Sequence, residues 1–288
     1  MIRWRAIGLG LLGVAAMIAV WELYKAVGPE TGVLVGDRAV LPRTSDRAMP
    51  HVWQMVTRLG GFTVGRRGDP LWLSVLHACL FSLKIAATGW LIGVVVGLGL
   101  ALVMQRLRLA EAAILPWIVL SQTVPLIAIA PLVRRWGSQI HVGGFTWSNE
   151  NSVAVIAAYL AFFPVSVGAL RGLKSPEATH LDLLRTYGVG WWRTLLSLRL
   201  PASVPYLLPA LRLAAASAVI GTVVAEVSIG LRGGIGRMVI EYASASGGDP
   251  AKPWAPIFGA VAVGLVAAGF VSLLGLALRP YRRSEVPA

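Results

Sequence analysis

Long apolar runs separated by short polar segments make up most of the chain. A membrane-spanning helix needs about 20 predominantly apolar residues. Six stretches approach or meet that length: residues 6–27, 85–104 within the longer run 71–104, 110–133, 153–170, 205–227 and 254–278. They predict an all-α membrane protein with six transmembrane helices. Residues 1–70 then read as one transmembrane helix and an external segment. Residues 71–288 read as a core of five transmembrane helices, with a cytoplasmic loop at 171–201. The first run follows Arg3 and Arg5, as a secretory signal would, but no small-x-small cleavage site precedes a polar start. It continues Trp21-Glu22-Leu23-Tyr24, with aromatic residues suited to a membrane interface, so a retained helix is expected.

The polar segments carry weaker patterns. Apolar residues at 52, 55, 56 and 59 keep helical spacing and predict a short surface helix. Residues 138–152 and 244–253 are rich in Gly, Ser, Asn or Asp and read as exposed loops. Within the spans, Pro116, Pro125, Pro131, Pro164 and Pro209 each remove a backbone donor. They serve either to bend helices for packing or to line a path. Gly89, Gly93 and Gly97 fall on one helix face, where a second helix can approach closely. That face is either a static packing surface or a place where helices move past each other.

Composition narrows the class. Of 288 residues, 56% are hydrophobic and only 14% charged, whereas soluble domains are nearer a quarter charged. The net charge of +13 does not point to nucleic acid, because the basic residues lie between apolar blocks rather than on one face. With the N-terminus inside, the inner pieces are 1–5, 105–109, 171–200 and 279–288. They carry Arg3 and Arg5; Arg106 and Arg108; Arg171, Lys174, Arg185, Arg193 and Arg199; and Arg279, Arg282 and Arg283. This density favours cytoplasmic N- and C-termini in an inner membrane, with lipid as a partner. The outer pieces are also basic, with Arg38, Arg43, Arg47, Arg58, Arg66 and Arg67 in 28–70, partly balanced by Glu30, Asp37, Asp46 and Asp69. Arg134 and Arg135 fall outside as well.

Catalytic chemistry is not indicated. Cys79 is alone, and no two of His51, His77, His141 and His180 stand at metal-ligand spacing, so neither a metal site nor a cofactor is expected. None of Lys25, Lys84, Lys174 and Lys252 follows a glycine, which excludes a phosphate loop of the Gly-Lys-Ser/Thr type. Energy for transport would come from a partner or an ion gradient. Lys84, Arg212 and Glu226 are ionisable residues within or beside the spans, either paired at an interface or set in a translocation path. Ser121, Gln122 and Thr123 either line that path or hydrogen-bond between helices. An ion-coupled carrier and a non-transporting membrane scaffold remain alternatives at this point.

The loop at 171–201 is the most informative segment. Pro176-Glu177 suits a helix start, and Gly188 can take the left-handed conformation that ends one. A second short helix is expected over 191–198, stopping near Pro201. Two short helices about a glycine make a compact knob that can dock in a partner's groove. The segment resembles the cytoplasmic motif of permease subunits of binding-protein-dependent ABC importers: Glu-Ala-Ala, three residues, Gly, nine residues, Ile, one residue, Leu-Pro. Aligned on Gly188, Leu198 stands for the Ile, and Leu200-Pro201 match. Asp182 replaces the Glu, and Leu183-Leu184 replace Ala-Ala. The resemblance extends from about Leu71 and is closest to the nitrate, sulfonate, taurine and pyrimidine-precursor branch. Gln122-Thr123-Val124-Pro125, Phe162-Phe163-Pro164, Leu211-Arg212-Leu213-Ala214, Val223-Val224-Ala225-Glu226 and Gly233-Gly234-Ile235-Gly236 carry it. It implies a bundle of the type I importer kind, and a cytoplasmic ATPase subunit coupled through Asp182, Arg185, Gly188, Leu198, Leu200 and Pro201. It also implies a second permease copy, an external solute-binding protein, and no ATPase site on this chain.

Overall fold

The computed structural model describes residues 2–35, 38–61, 68 and 70–277. Asp37, Arg66, Arg67, Asp69 and the basic tail with Arg279, Arg282 and Arg283 lie outside the described residues. Helices dominate: α1 (Ile2–Val27), α2 (Val52–Leu59), α3 (Leu71–Arg106), α4 (Arg108–Ser121), α5 (Leu126–Gly137) and α6 (Asn149–Leu173). They continue with α7 (Ala178–Thr186), α8 (Trp191–Thr194), α9 (Leu200–Ile229), α10 (Ile235–Ser244) and α11 (Trp254–Ala277). Among the described residues, two small antiparallel hairpins join them, β1–β2 (Val33–Val35, Arg38–Leu41) and β3–β4 (His141–Val142, Phe145–Thr146). Among the described residues, five helical stretches are long and apolar enough to cross a membrane.

The third expected span differs from the reading of 110–133 as one helix. It is a broken pair, α4 and α5, bent by 102°. Pro125 disfavours helical geometry at Val124, and the polar residues before it bond locally. Ser121 Oγ donates to the Ile118 carbonyl at 2.7 Å, and Thr123 Oγ1 donates to the Leu120 carbonyl at 2.8 Å. Residues 138–152 also depart from a plain loop: they hold β3–β4 and the first turn of α6, capped by Ser148 Oγ accepting from Asn151 N–H at 3.2 Å.

The described residues group into two compact units. One contains the chain up to Leu76 together with Val239–Phe258. Here the C-terminal end of α1 is tied down by the segment that follows it. Lys25 Nζ donates to Asp46 Oδ1 and the Met49 carbonyl, both at 2.6 Å, and its hydrogen bond holds the Asp46 carboxyl below the usual range. Glu22 accepts from the Val52 N–H at 2.8 Å, at the start of α2. Apolar spacing made α2 legible, and Met55 is its buried anchor. Arg58 pairs with Asp249 in the turn after α10. Lys25 and Arg58 thus have carboxylate partners within this unit.

The second unit runs from His77 to Met238 and resumes at Gly259. Its centre is α6, with 61% of its apolar window buried. Close approach to α3 requires the glycine face: a Cβ added at Gly93 would lie 2.6 Å from the Ala161 Cβ, and one at Gly97 would lie 2.8 Å from the Val165 Cβ. Ala157 fills the same role opposite Gly89. The face is therefore a packing surface. Replacing Gly93 by Ala forces the helices apart and should cost about 1–3 kcal/mol. Gly99→Ala is the matched control, since open space lies beyond that position. Thermal unfolding in detergent should show a lower midpoint for Gly93→Ala and an unchanged or slightly higher one for Gly99→Ala.

Candidate functional site

One end of the second unit forms a knob on a buried base. The base is apolar: Met104 of α3, Ile118 of α4, Leu170 and Leu173 of α6, and Leu195 pack together, with Trp191 and Leu200 against them. Polar contacts close its rim. Lys174, at the C-terminal cap of α6, pairs with Glu111 in the first turn of α4, so each charge opposes the helix dipole it meets. Arg199 Nη1 donates to the Leu173 carbonyl at 2.8 Å, and the Arg106 guanidinium lies 4.7 Å above the Trp191 ring.

Helix α7 follows α6 in the chain and buries none of its side chains. Gly188 ends it with φ of +68°. The Val189 N–H reaches back to the Leu184 carbonyl at 2.9 Å, and the Gly188 N–H to the Arg185 carbonyl at 2.9 Å. This is the Schellman closure, which needs a left-handed residue at the position of Gly188. Asp182 and Arg185 are both exposed and bind each other at 2.9 Å. The knob also presents apolar side chains to its surroundings: Leu183 is 52% exposed, Tyr187 76%, Trp192 70% and Leu196 65%. Sequence reasoning set Leu183 in the motif but missed Tyr187, Trp192 and Leu196 as surface residues. Trp192 and Leu196 were hidden because they begin the apolar helical stretch Trp191–Ile229.

The expected stop near Pro201 does not occur. Residues Leu195–Arg199 form a π-helical turn, and the helix runs on into α9 with Pro201 in its first turn. Proline cannot donate to a carbonyl four residues back, and its ring crowds that carbonyl. Widening the preceding turn, with the Leu200 N–H bonding the Leu195 carbonyl, accommodates it without a break. Leu198, Leu200 and Pro201 are half-buried in this continuous rod, not on the exposed knob.

The remaining expected site residues lie in two places. Ser121, Gln122 and Thr123 sit at the bend between α4 and α5, where Gln122 Nε2 donates to Ser121 Oγ at 3.2 Å and the Tyr159 hydroxyl donates to the Ser121 carbonyl. Glu226 is elsewhere and is 0% exposed, so in the folded chain it offers no surface to a path. Its Oε1 accepts from Ser82 Oγ of α3 at 2.6 Å, and its Oε2 accepts from the Gly236 N–H at 2.8 Å. Ser82 Oγ in turn accepts from the Ile235 N–H at 2.8 Å. Glu226 and Ser82 together cap α10, satisfying N–H groups that a helix start leaves unpaired. Gly234 makes this possible, because any Cβ there would collide with the Glu226 carboxylate. Arg134 performs the opposite service for α9, donating to the Ile229 carbonyl at 3.0 Å.

Residues 93–281 match the family described as "binding-protein-dependent transport system inner membrane component". The chain is a permease of the ABC importer family. It is 32% identical over 206 residues to a probable ABC transporter permease protein of Haemophilus influenzae, covering 66% of this chain and 77% of that one. It is 32% identical over 208 residues to a formylaminopyrimidine transport permease protein of Halalkalibacterium halodurans, covering 71% and 77%. A putative aliphatic sulfonates transport permease protein of Bacillus subtilis aligns over 275 residues at 27% identity, covering 96% and 88%. The permease thus falls in the branch to which its motifs pointed, and it is a multi-pass inner membrane protein.

Proposed function

We propose that this permease moves a small solute inward, driven by ATP hydrolysis on a separate cytoplasmic subunit that grips the knob of α7 and α8. The carrying observation is the knob itself: exposed apolar side chains on a helix closed by Gly188, fixed to a buried base. Such a surface fits an apolar groove on a partner. Asp182, Arg185 and Gly188 shape the knob, and Leu198, Leu200 and Pro201 join it to α9. Two permease copies form the path, and an external binding protein delivers the solute. Both termini and the 171–201 loop face the cytoplasm, and residues 71–288 act as the core with 1–70 appended. The bend at Ser121, Gln122 and Thr123 lines the path, while Glu226 holds α10 in place.

The test is purification with a Walker-type ATPase, followed by reconstitution with a binding protein. Solute uptake should require ATP and all three components. Uptake by the chain alone under an ion gradient would instead make it a secondary carrier, and failure of any ATPase to copurify would favour a scaffold.

A further inference from the structure

A groove of about 490 Å³ lies between the C-terminal part of α1 and residues 42–49. Met17, Val20, Trp21 and Tyr24 line it from the helix, and Arg43 and Met49 from the segment. Three hydrogen bonds fix the segment alongside the helix. Thr44 Oγ1 donates to the Gly28 carbonyl at 3.0 Å, the Tyr24 hydroxyl to the Pro42 carbonyl at 3.1 Å, and Trp21 Nε1–H to the Pro50 carbonyl at 3.2 Å. Arg43, between Pro42 and Thr44, is therefore held at the end of the groove where α1 stops. Met17 lies about 15 Å from that end along the helix axis. The two ends differ in chemistry. Met17 and Val20 are exposed, as is every residue from 8 to 20, on a helix long and apolar enough to span a membrane. Such a surface meets acyl chains. Trp21 and Tyr24 direct their polar atoms to backbone carbonyls and so contribute apolar ring surface, at the depth where aromatic residues meet headgroups. Arg43 is exposed, and no groove-lining residue is acidic. The carboxylate nearest to Arg43 in sequence, Asp46, is committed to Lys25 at 2.6 Å.

We propose that this groove holds one anionic phospholipid. Its phosphate meets the Arg43 guanidinium, whose forked donors suit phosphate oxygens. One acyl chain runs down past Tyr24 and Trp21 to Val20 and Met17. A zwitterionic lipid fits less well, because its ammonium group meets a flank with two exposed arginines, Arg43 and Arg47. The site needs only a membrane around α1, so it stands apart from the ATP-driven reading above.

Native mass spectrometry of the full chain reads the site, after titration in detergent with phosphatidylglycerol or with phosphatidylcholine of identical acyl chains. One phosphatidylglycerol should bind ahead of all others, and more tightly than phosphatidylcholine. Arg43→Gln should weaken it about fivefold, the effect of one basic residue on an anionic lipid. Arg47→Gln should weaken it less, because Arg47 does not line the groove. Val20→Trp, at an exposed position that accepts a large side chain, should block the acyl path and remove the adduct while the unfolding midpoint stays in place. Equal losses from the two arginine substitutions would reduce the effect to diffuse charge and overturn the proposal, as would equal binding of the two lipids. Glycerophosphoglycerol, the headgroup without chains, should not compete; if it displaced the lipid at equal concentration, the groove would be a phosphate site and not a lipid site. A second copy is the remaining occupant. In a Cys79→Ser background, disulfide dimers through Val20→Cys that lack the lipid adduct would place that copy in the groove and overturn the proposal.

Discussion

Glu226→Ala should be the most damaging single substitution for stability. It leaves the Ser82 hydroxyl and the Gly236 N–H buried without their acceptor. Each unpaired buried group costs about 1–3 kcal/mol. The two together cost about 2–6 kcal/mol, a large part of an ordinary folding margin. The unfolding midpoint in detergent should fall sharply, and the yield with it. Glu226→Gln should cost much less. Its amide oxygen still accepts from Gly236, and its amide N–H can donate to Ser82 once that hydroxyl turns away. If the alanine variant melts with the wild type, the carboxylate does not hold α10.

Gly188→Val should leave the bundle folded but uncouple it. The residue sits at φ of +68° with open space around its Cβ, so only the backbone conformation is at issue. A β-branched residue there costs about 1–2 kcal/mol and opens the Schellman closure. The end of α7 then frays, and Tyr187 leaves its place on the knob. ATP-driven uptake should drop roughly tenfold or more, in line with that cost if coupling requires the closed form. Gly188→Asn is the discriminating variant, because asparagine tolerates the left-handed region. It should retain much of the activity. Equal uptake by the valine variant and the wild type would remove the knob from the coupling step.

Much of this architecture was legible because membrane helices announce themselves by length. The hydropathy of α3, α6, α9 and α11 needed no tertiary information, and Gly188 takes the left-handed conformation expected of a glycine that ends a helix. Window-averaged hydropathy failed at α4–α5. The bend depends on Ser121 and Thr123 turning their hydroxyls onto their own helix just before Pro125, a local polar signal that averaging erases. The role of Glu226 was unreadable for another reason. Its partner Ser82 is 144 residues away, and no periodicity links them. The partners of basic residues beyond the expected inner pieces were hidden likewise, since Arg58 meets Asp249 across 191 residues and Arg134 meets a backbone carbonyl that no composition could reveal.

The π-helical turn at Leu195–Arg199 has one more consequence. Each residue of an α-helix advances the azimuth by about 100°. A turn wound with one residue too many therefore sets the angular phase between Trp192, below it, and the faces of α9 above. Deleting Ser197 from this turn would spare the exposed apolar side chains of the knob. It would nevertheless rotate them about a quarter turn relative to the bundle, so that an ATPase would meet a familiar surface pointing the wrong way.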